Sequence, residues 1–165
     1  MKTRVAFIVL ALAAAPLAAK DSLGVFGEWG AFRDPQVPRC YAIAAAQVDS
    51  RTAAQREHAP FASVGTWPKR AVRGQLHFRL SRNVSASPSI ALAIGSQRFT
   101  LTGGGGDAWA KDQTMDAAIV AAMRSAGTMS LSATDRAGRR FTDRYSLEGA
   151  ATALDAATVG CARVR

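Results

Sequence analysis

Apolar and polar residues alternate along several segments of this chain, and this period of two limits the possible folds more than any other feature. In the segment 75–81, Leu76, Phe78 and Leu80 are interleaved with polar residues. Successive side chains of a strand point to opposite faces, so the pattern predicts a strand with one buried face. Similar patterns predict further strands over 61–67, 90–94, 97–102, 128–134 and 141–145, and one or two more within 26–43.

Two turns allow hairpins to be placed in register. Gly95 and Ser96 suit a two-residue type II′ turn, which sets Leu92 opposite Phe99 on one apolar face. Hydrophobic register and turn chemistry therefore agree in the first hairpin.

The second hairpin turns within 135–139, where Gly138 can adopt a positive φ. Its register sets Asp143 opposite Leu131. A carboxylate is thus predicted on the apolar face, where an acidic side chain is unusual.

Helical patterns are few, and they complete the predicted fold. An amphipathic helix is predicted over 112–126, capped by Asp112 or Thr114, and a shorter alanine-rich helix at 150–157. The glycines 103–106 lack the lysine and hydroxyl residue of a phosphate-binding loop, and they are interpreted as a flexible connection. The expected fold is mainly β: an antiparallel β-sandwich or half-open barrel of about seven to eight strands with one or two short α-helices.

The first part of the chain, residues 1–19, is predicted to be a secretory signal peptide. Lys2 and Arg4 precede an apolar stretch too short to span a membrane, and small residues lead to a cleavage site after Ala19. The rest, 20–165, is expected to be a single domain in the periplasm or outside the cell. It contains no further apolar run long enough for a transmembrane helix.

Export also determines the expected state of the cysteines. Cys40 and Cys161 are the only two in the chain. Disulfides persist in oxidising compartments, so a Cys40–Cys161 bridge is predicted. A redox-active pair is disfavoured because such cysteines usually lie close together in sequence.

Catalytic and metal-binding motifs are not recognisable in this sequence. His58 and His77 are the only histidines, and neither has an acidic neighbour at ligand spacing, so no metal ion and no cofactor are expected. Serine motifs such as G-x-S-x-G and S-x-x-K do not occur. The protein is therefore predicted not to be an enzyme. The alternative is a hydrolase-type enzyme that uses the buried carboxylate of Asp143.

A strongly basic composition directs attention to anionic partners. The chain has 21 basic and 12 acidic residues and a formal net charge of +9 at pH 7. Strand alternation directs four arginines away from the apolar face, where their guanidinium groups suit sulfate, phosphate or carboxylate: Arg79, Arg98, Arg140 and Arg144. Trp109 is either part of the core or an anchor for a ligand. Because no aromatic residues are interleaved with these arginines in the predicted strands, nucleic-acid binding is not expected.

The order of several motifs resembles the invasion-associated locus B family of exported bacterial proteins. The resemblance rests on an early tryptophan, a cysteine that opens a strand, an amphipathic helix, a strand and a closing segment: Trp29, 40–44, 116–124, 129–132 and 145–154. It covers nearly all of the mature chain, although many relatives carry a further cysteine pair where this chain has 103–109. It implies an exported, β-rich protein and supplies no catalytic residues.

The sequence as a whole predicts a non-enzymatic binding protein of the bacterial envelope. Its expected partner is an anionic component of the envelope or of a host surface, or another exported protein. The candidate ligand-binding residues are the four arginines and Trp109. A purely structural envelope protein is the remaining alternative.

Overall fold

The computed structural model describes residues 20–85 and 88–162, so the predicted signal peptide lies outside the described residues. The described strands are β1 (Asp21–Phe26), β2 (Trp29–Asp34), β3 (Arg39–Ala45), β4 (Phe61–Trp67), β5 (Val72–Val84), β6 (Ile90–Ile94), β7 (Gln97–Trp109), β8 (Thr128–Thr134) and β9 (Arg140–Ser146). The helices are α1 (Ser50–Ala53), α2 (Gln113–Met123) and α3 (Ala150–Ala162), and a 3₁₀ turn covers Pro68–Arg70.

All of these strands join one antiparallel sheet in the order β1-β2-β3-β4-β5-β7-β6-β8-β9. Strand β7 belongs to both halves of the sheet, because residues 97–101 pair with β6 whereas 107–109 pair with β5. The first half contains β1–β5, and the second contains β6, β8 and β9. The predicted fold class is confirmed, with three strands at the N-terminal end instead of one or two.

The two halves approach each other at β5 and β9, where the sheet remains open. The backbone N–H of Ser81 on β5 donates to the carboxylate of Asp143 on β9 at 2.9 Å. The segment 46–58 bridges the same gap, because its N–H groups donate to the carbonyls of Arg144 on β9 and Ser81 on β5, each at 2.8 Å. These contacts give the half-open barrel its shape.

Both long helices cover the inner face of the sheet. Helix α3 packs on β1–β4 and helix α2 packs on β5 and β6. Asp112 caps α2 as predicted by accepting the N–H of Met115 at 2.8 Å, and Asp116 accepts the N–H of Leu76 at 2.8 Å. The enclosed side chains include Trp29, Phe78, Leu92, Ile119, Met129, Leu131 and Tyr145. No helix within the described residues is long and apolar enough to cross a membrane.

The disulfide and both hairpin registers are as predicted. Cys40 on β3 is bonded to Cys161 on α3, with Cα atoms 5.6 Å apart. Leu92 lies opposite Phe99, and Leu131 lies opposite Asp143. The disulfide therefore fastens the last helix to the inner face of the sheet.

Candidate functional site

The edge strand β9 carries two of the candidate arginines on its outer face. Arg140 and Arg144 are exposed because the residues that alternate with them, Phe141, Asp143 and Tyr145, are buried. A cross-strand row of partners runs through Arg98, Ala93, Ser130 and Arg144. Arg98 therefore shares a face with Arg144 at three strand spacings, roughly 14 Å.

A polar cleft of about 640 Å³ lies between β9 and the segment 47–50. Arg56, Arg140 and Arg144 line it, and we call it the arginine cleft. Arg56 is held at the cleft by a 2.7 Å hydrogen bond from its Nη2 to the carbonyl of Gln47. Sequence reasoning missed Arg56, since the surface loop that carries it has no periodic pattern from which its position follows.

The positive charge of the arginine cleft is incompletely compensated. Within the described part of the chain, no carboxylate forms an ion pair with Arg140 or Arg144, although Asp49 also lines the cleft. Six other arginines each have an aspartate partner: Arg33, Arg39, Arg79, Arg82, Arg124 and Arg139. Arg70 and Arg73, which lie outside the arginine cleft, have no ion-pair partner among the described residues either. Two guanidinium groups that have no ion-pair partner among the described residues lie in a concave polar surface, which is a suitable site for an anion.

The remaining candidates, Arg79 and Trp109, lie on the outer face of the first half of the sheet. Arg79 donates from Nη1 to Asp107 at 2.7 Å, so its charge is paired. Trp109 is 39% exposed, which makes the interpretation as a core residue wrong. Its ring stacks on His77 with centroids 5.3 Å apart and an interplanar angle of 19°. Neither of these two residues lines the arginine cleft.

The glycines 103–106 lie inside β7, so the expectation of a flexible connection is wrong. A Cβ on Gly103 would lie 2.3 Å from the carbonyl oxygen of Asp107, and one on Gly106 would lie 2.8 Å from the Arg79 guanidinium. Only residues without a side chain permit such close approaches. The glycine run thus forms the corner at which β7 leaves the second half of the sheet and brings Asp107 beside β5.

Aromatic residues do share a sheet face with one of the arginines, contrary to the expectation from the sequence. Phe61 and Asp107 lie opposite Arg79 on the neighbouring strands, and Trp109 lies opposite His77. Phe61 meets the His77 ring edge-on with centroids 5.5 Å apart. Sequence analysis missed this grouping because it depends on the pairing of β5 with the far end of β7.

The predicted buried carboxylate occupies the gap between the halves of the sheet. Asp143 is 1% exposed, and burial raises its pKa. Tyr145 is equally enclosed, and burial, together with the charge of Asp143, raises the pKa of its hydroxyl. Neither residue lines the arginine cleft or the second cleft described below. The observed role of Asp143 is to join β9 to β5 through Ser81.

A second cleft, mostly apolar and about 580 Å³ in volume, lies between α2, α3 and the strands β4 and β5. Val120, Leu154 and Cys161 line it, together with Arg73 and Arg124. Sequence analysis did not anticipate this cleft because its walls come from distant parts of the chain. Within the described residues, no group of three His, Cys, Asp or Glu side chains could hold a metal ion.

The residues on which the family resemblance rests include Trp29 and the closing segment, and these contact each other in the structure. The indole N–H of Trp29 donates to the carbonyl of Ser146 at 2.9 Å. Gly149 has φ +81°, and a Cβ there would lie 1.8 Å from the carbonyl oxygen of Phe26. The early tryptophan and the closing segment therefore hold the β1–β2 turn against the start of α3, and they take no part in the arginine cleft.

A solved structure shares this architecture. The crystal structure of invasion associated protein B from Bartonella henselae matches with a TM-score of 0.59 and 15% sequence identity, covering 86% of this chain and 97% of that chain. The sequence matches no protein-family model, and a search of curated proteins finds no match. The resemblance stated from the motifs is thus confirmed at the level of the fold.

Proposed function

We propose that this chain is an exported, non-enzymatic binding protein that recognises an anionic component of the bacterial envelope or of a host surface through the arginine cleft. The observation that carries the proposal is the pair of guanidinium groups, Arg140 and Arg144, that line a polar cleft without an ion-pair partner in the described residues. Sulfate, phosphate and carboxylate groups share the geometry that a guanidinium fork binds.

Further features support this proposal. The fold resembles that of invasion associated protein B, and residues 1–19 have the sequence pattern of a signal peptide. The formal net charge of +9 favours encounters with anionic surfaces. The enclosure of Asp143 supports the non-enzymatic part of the proposal, since a catalytic carboxylate must reach its substrate.

The test uses charge reversal in the arginine cleft and a matched reversal elsewhere. The full chain is expressed with export to the periplasm, and its binding to immobilised heparin and to polyphosphate is measured by surface plasmon resonance. We expect Arg140→Glu/Arg144→Glu to weaken binding by at least about tenfold at low salt, because two attractive contacts become repulsive.

The control variant is Lys69→Glu/Arg70→Glu, which changes the net charge equally at two exposed residues of the 3₁₀ turn. It should change the affinity by less than about threefold. Equal losses of affinity in both double variants would show that net charge alone causes the attraction. Unchanged binding by Arg140→Glu/Arg144→Glu would show that the arginine cleft is not the binding site.

A further inference from the structure

We propose that the outer face of the first half of the sheet binds an uncharged glycan through Trp109 and the polar residues beside it. This site is separate from the arginine cleft and does not depend on the proposed anion binding. Its members are Phe61, His77, Arg79, Asp107 and Trp109, and we call it the Trp109 platform.

The strand register places the platform residues in two adjacent rows. One row runs through Ser63, His77 and Trp109, and the next runs through Phe61, Arg79 and Asp107, on β4, β5 and β7 in each case. Leu76, Phe78 and Leu80 alternate with these positions on β5 and are buried, so the rows face outward. The outer face of the sheet thus carries aromatic and polar side chains next to each other.

Trp109 has the form of a fixed stacking surface. With 39% of its surface exposed, it is among the most accessible large apolar residues of the described chain. One side of the indole rests on the His77 ring at 5.3 Å, and His77 is in turn held by the edge contact with Phe61 at 5.5 Å. A ring that is already ordered loses little conformational entropy when a ligand stacks on it.

Asp107 orders the polar part of the platform. Its Oδ1 lies 2.9 Å from Nε2 of His77, and its Oδ2 accepts from Nη1 of Arg79 at 2.7 Å. That is the one side-chain hydrogen bond described for the Arg79 guanidinium, which has five N–H groups. Further N–H groups of Arg79, whose side chain is partly exposed, are therefore available on the same face as the indole, and the charges of Arg79 and Asp107 offset each other.

The corner in β7 brings Asp107 and Trp109 beside β5. A Cβ on Gly106 would lie 2.8 Å from Nη1 of Arg79 and 3.1 Å from the His58 ring. A larger residue at this position would therefore force the Arg79 side chain to shift. The glycine run, which the sequence pattern suggested to be a connection, thus shapes the backbone beside the platform.

Sugar rings match this chemistry better than other ligand classes. The C–H faces of a pyranose carry partial positive charge and stack on the negative face of an indole, and its hydroxyl groups accept from guanidinium N–H. Single-stranded nucleic acid also stacks on aromatic residues, but it requires a positive groove along its backbone. Because Arg79 is already paired with Asp107, it offers no uncompensated positive charge for a phosphate backbone, and this favours a neutral glycan.

The test measures binding of neutral hexasaccharides, built from glucose, mannose, galactose or N-acetylglucosamine, by isothermal titration calorimetry. We expect at least one of them to bind, with an affinity that changes less than about twofold between about 50 mM and about 500 mM NaCl. Trp109→Ala should weaken that binding at least about tenfold, and Trp109→Phe should weaken it less. Val25→Ala, which removes an exposed apolar side chain from the edge strand β1, should have no effect.

Several results would overturn the inference. They are the absence of binding by every hexasaccharide, undiminished binding by Trp109→Ala, or binding only of a thymidine dodecanucleotide, which would assign the platform to nucleic acid. If Trp109→Ala does not fold, the indole N–H signal of Trp109 is followed instead in the NMR spectrum of the wild-type protein during sugar addition. It shifts on sugar addition if the platform binds, and an unmoved signal contradicts the proposal. Arg140→Glu/Arg144→Glu should bind the sugar normally, which separates this outcome from that of the arginine cleft.

Discussion

Reduction of the Cys40–Cys161 disulfide should lower the free energy of unfolding by about 5 kcal/mol. The bond joins residues 121 positions apart, so it closes nearly the whole described chain into one loop. Treating the stabilisation as lost loop entropy of the unfolded chain gives about 5 kcal/mol at 25 °C for a loop of that size. The magnitude is a large part of the stability of an ordinary domain.

The folded state should survive the reduction. Helix α3 keeps its apolar contacts with the inner face of the sheet through Ala153, Leu154 and Ala157, all buried. The effect therefore resides in the unfolded state, and the circular dichroism of the native protein should not change. Urea unfolding, followed by tryptophan fluorescence with and without dithiothreitol, should show a midpoint lower by about 2–3 M in the reduced protein.

The double variant Cys40→Ala/Cys161→Ala provides the control. Its unfolding midpoint should be insensitive to dithiothreitol, because no cross-link remains to be reduced. A stability difference below about 1 kcal/mol between oxidised and reduced protein would refute the loop-entropy reasoning. A change in the native circular dichroism would also refute it, since α3 would then depend on the bond for its position.

Further predictions concern substitutions at single positions. Asp143→Asn keeps an oxygen that accepts the Ser81 N–H and removes the carboxylate, whose pKa is raised by burial. Because of the raised pKa, the stability of the wild type falls as the pH rises past about 4, so at pH 7 the variant should be more stable by about 1.4 kcal/mol per unit of pKa elevation. A less stable variant in chemical denaturation at pH 7 would contradict this. Backbone N–H groups and arginines lower the pKa of Asp135 to about 2, so its contribution to stability should be present above about pH 4 and vanish towards pH 2. In Asp135→Asn the midpoint of urea unfolding should therefore depend less on pH over that range. The same pH dependence as in the wild type would contradict the pairing. Gly149→Ala should lower the free energy of unfolding by about 2–5 kcal/mol, because position 149 has a positive φ and the new Cβ would lie 1.8 Å from a carbonyl oxygen. Gly127→Ala, with open space around the new Cβ, should change it by less than about 1 kcal/mol. Similar losses in both variants, measured by thermal or urea unfolding, would contradict the steric explanation.

The hairpins were predictable because two independent signals coincide in them. Gly95 lies in a two-residue turn with φ +54°, and the apolar residues on either side are in register across it. Asp143 was placed correctly on the buried face by the same argument, since strand periodicity follows from backbone geometry. Local turn chemistry and a period of two are thus sufficient for consecutive strands.

The corner in β7 was not predictable in the same way. The glycines 103–106 have no side chains, so they show no periodicity, and their role depends on β5, which lies far away in sequence. Arg56 reaches the arginine cleft only because the loop that carries it crosses the gap between the halves of the sheet. Both candidate sites therefore depend on contacts between segments that are distant in sequence, and local sequence patterns contain little information about such contacts.

The most direct test of the arginine cleft observes the guanidinium groups themselves. In the oxidised protein labelled with ¹⁵N, the Nε–H signals of arginine side chains are recorded while a heparin-derived hexasaccharide is added. We expect saturable shifts of the signals of Arg140 and Arg144, each assigned by its loss in the corresponding lysine variant. Shifts confined to arginines outside the arginine cleft, such as Arg70 and Arg73, or uniform shifts across all arginines, would contradict it.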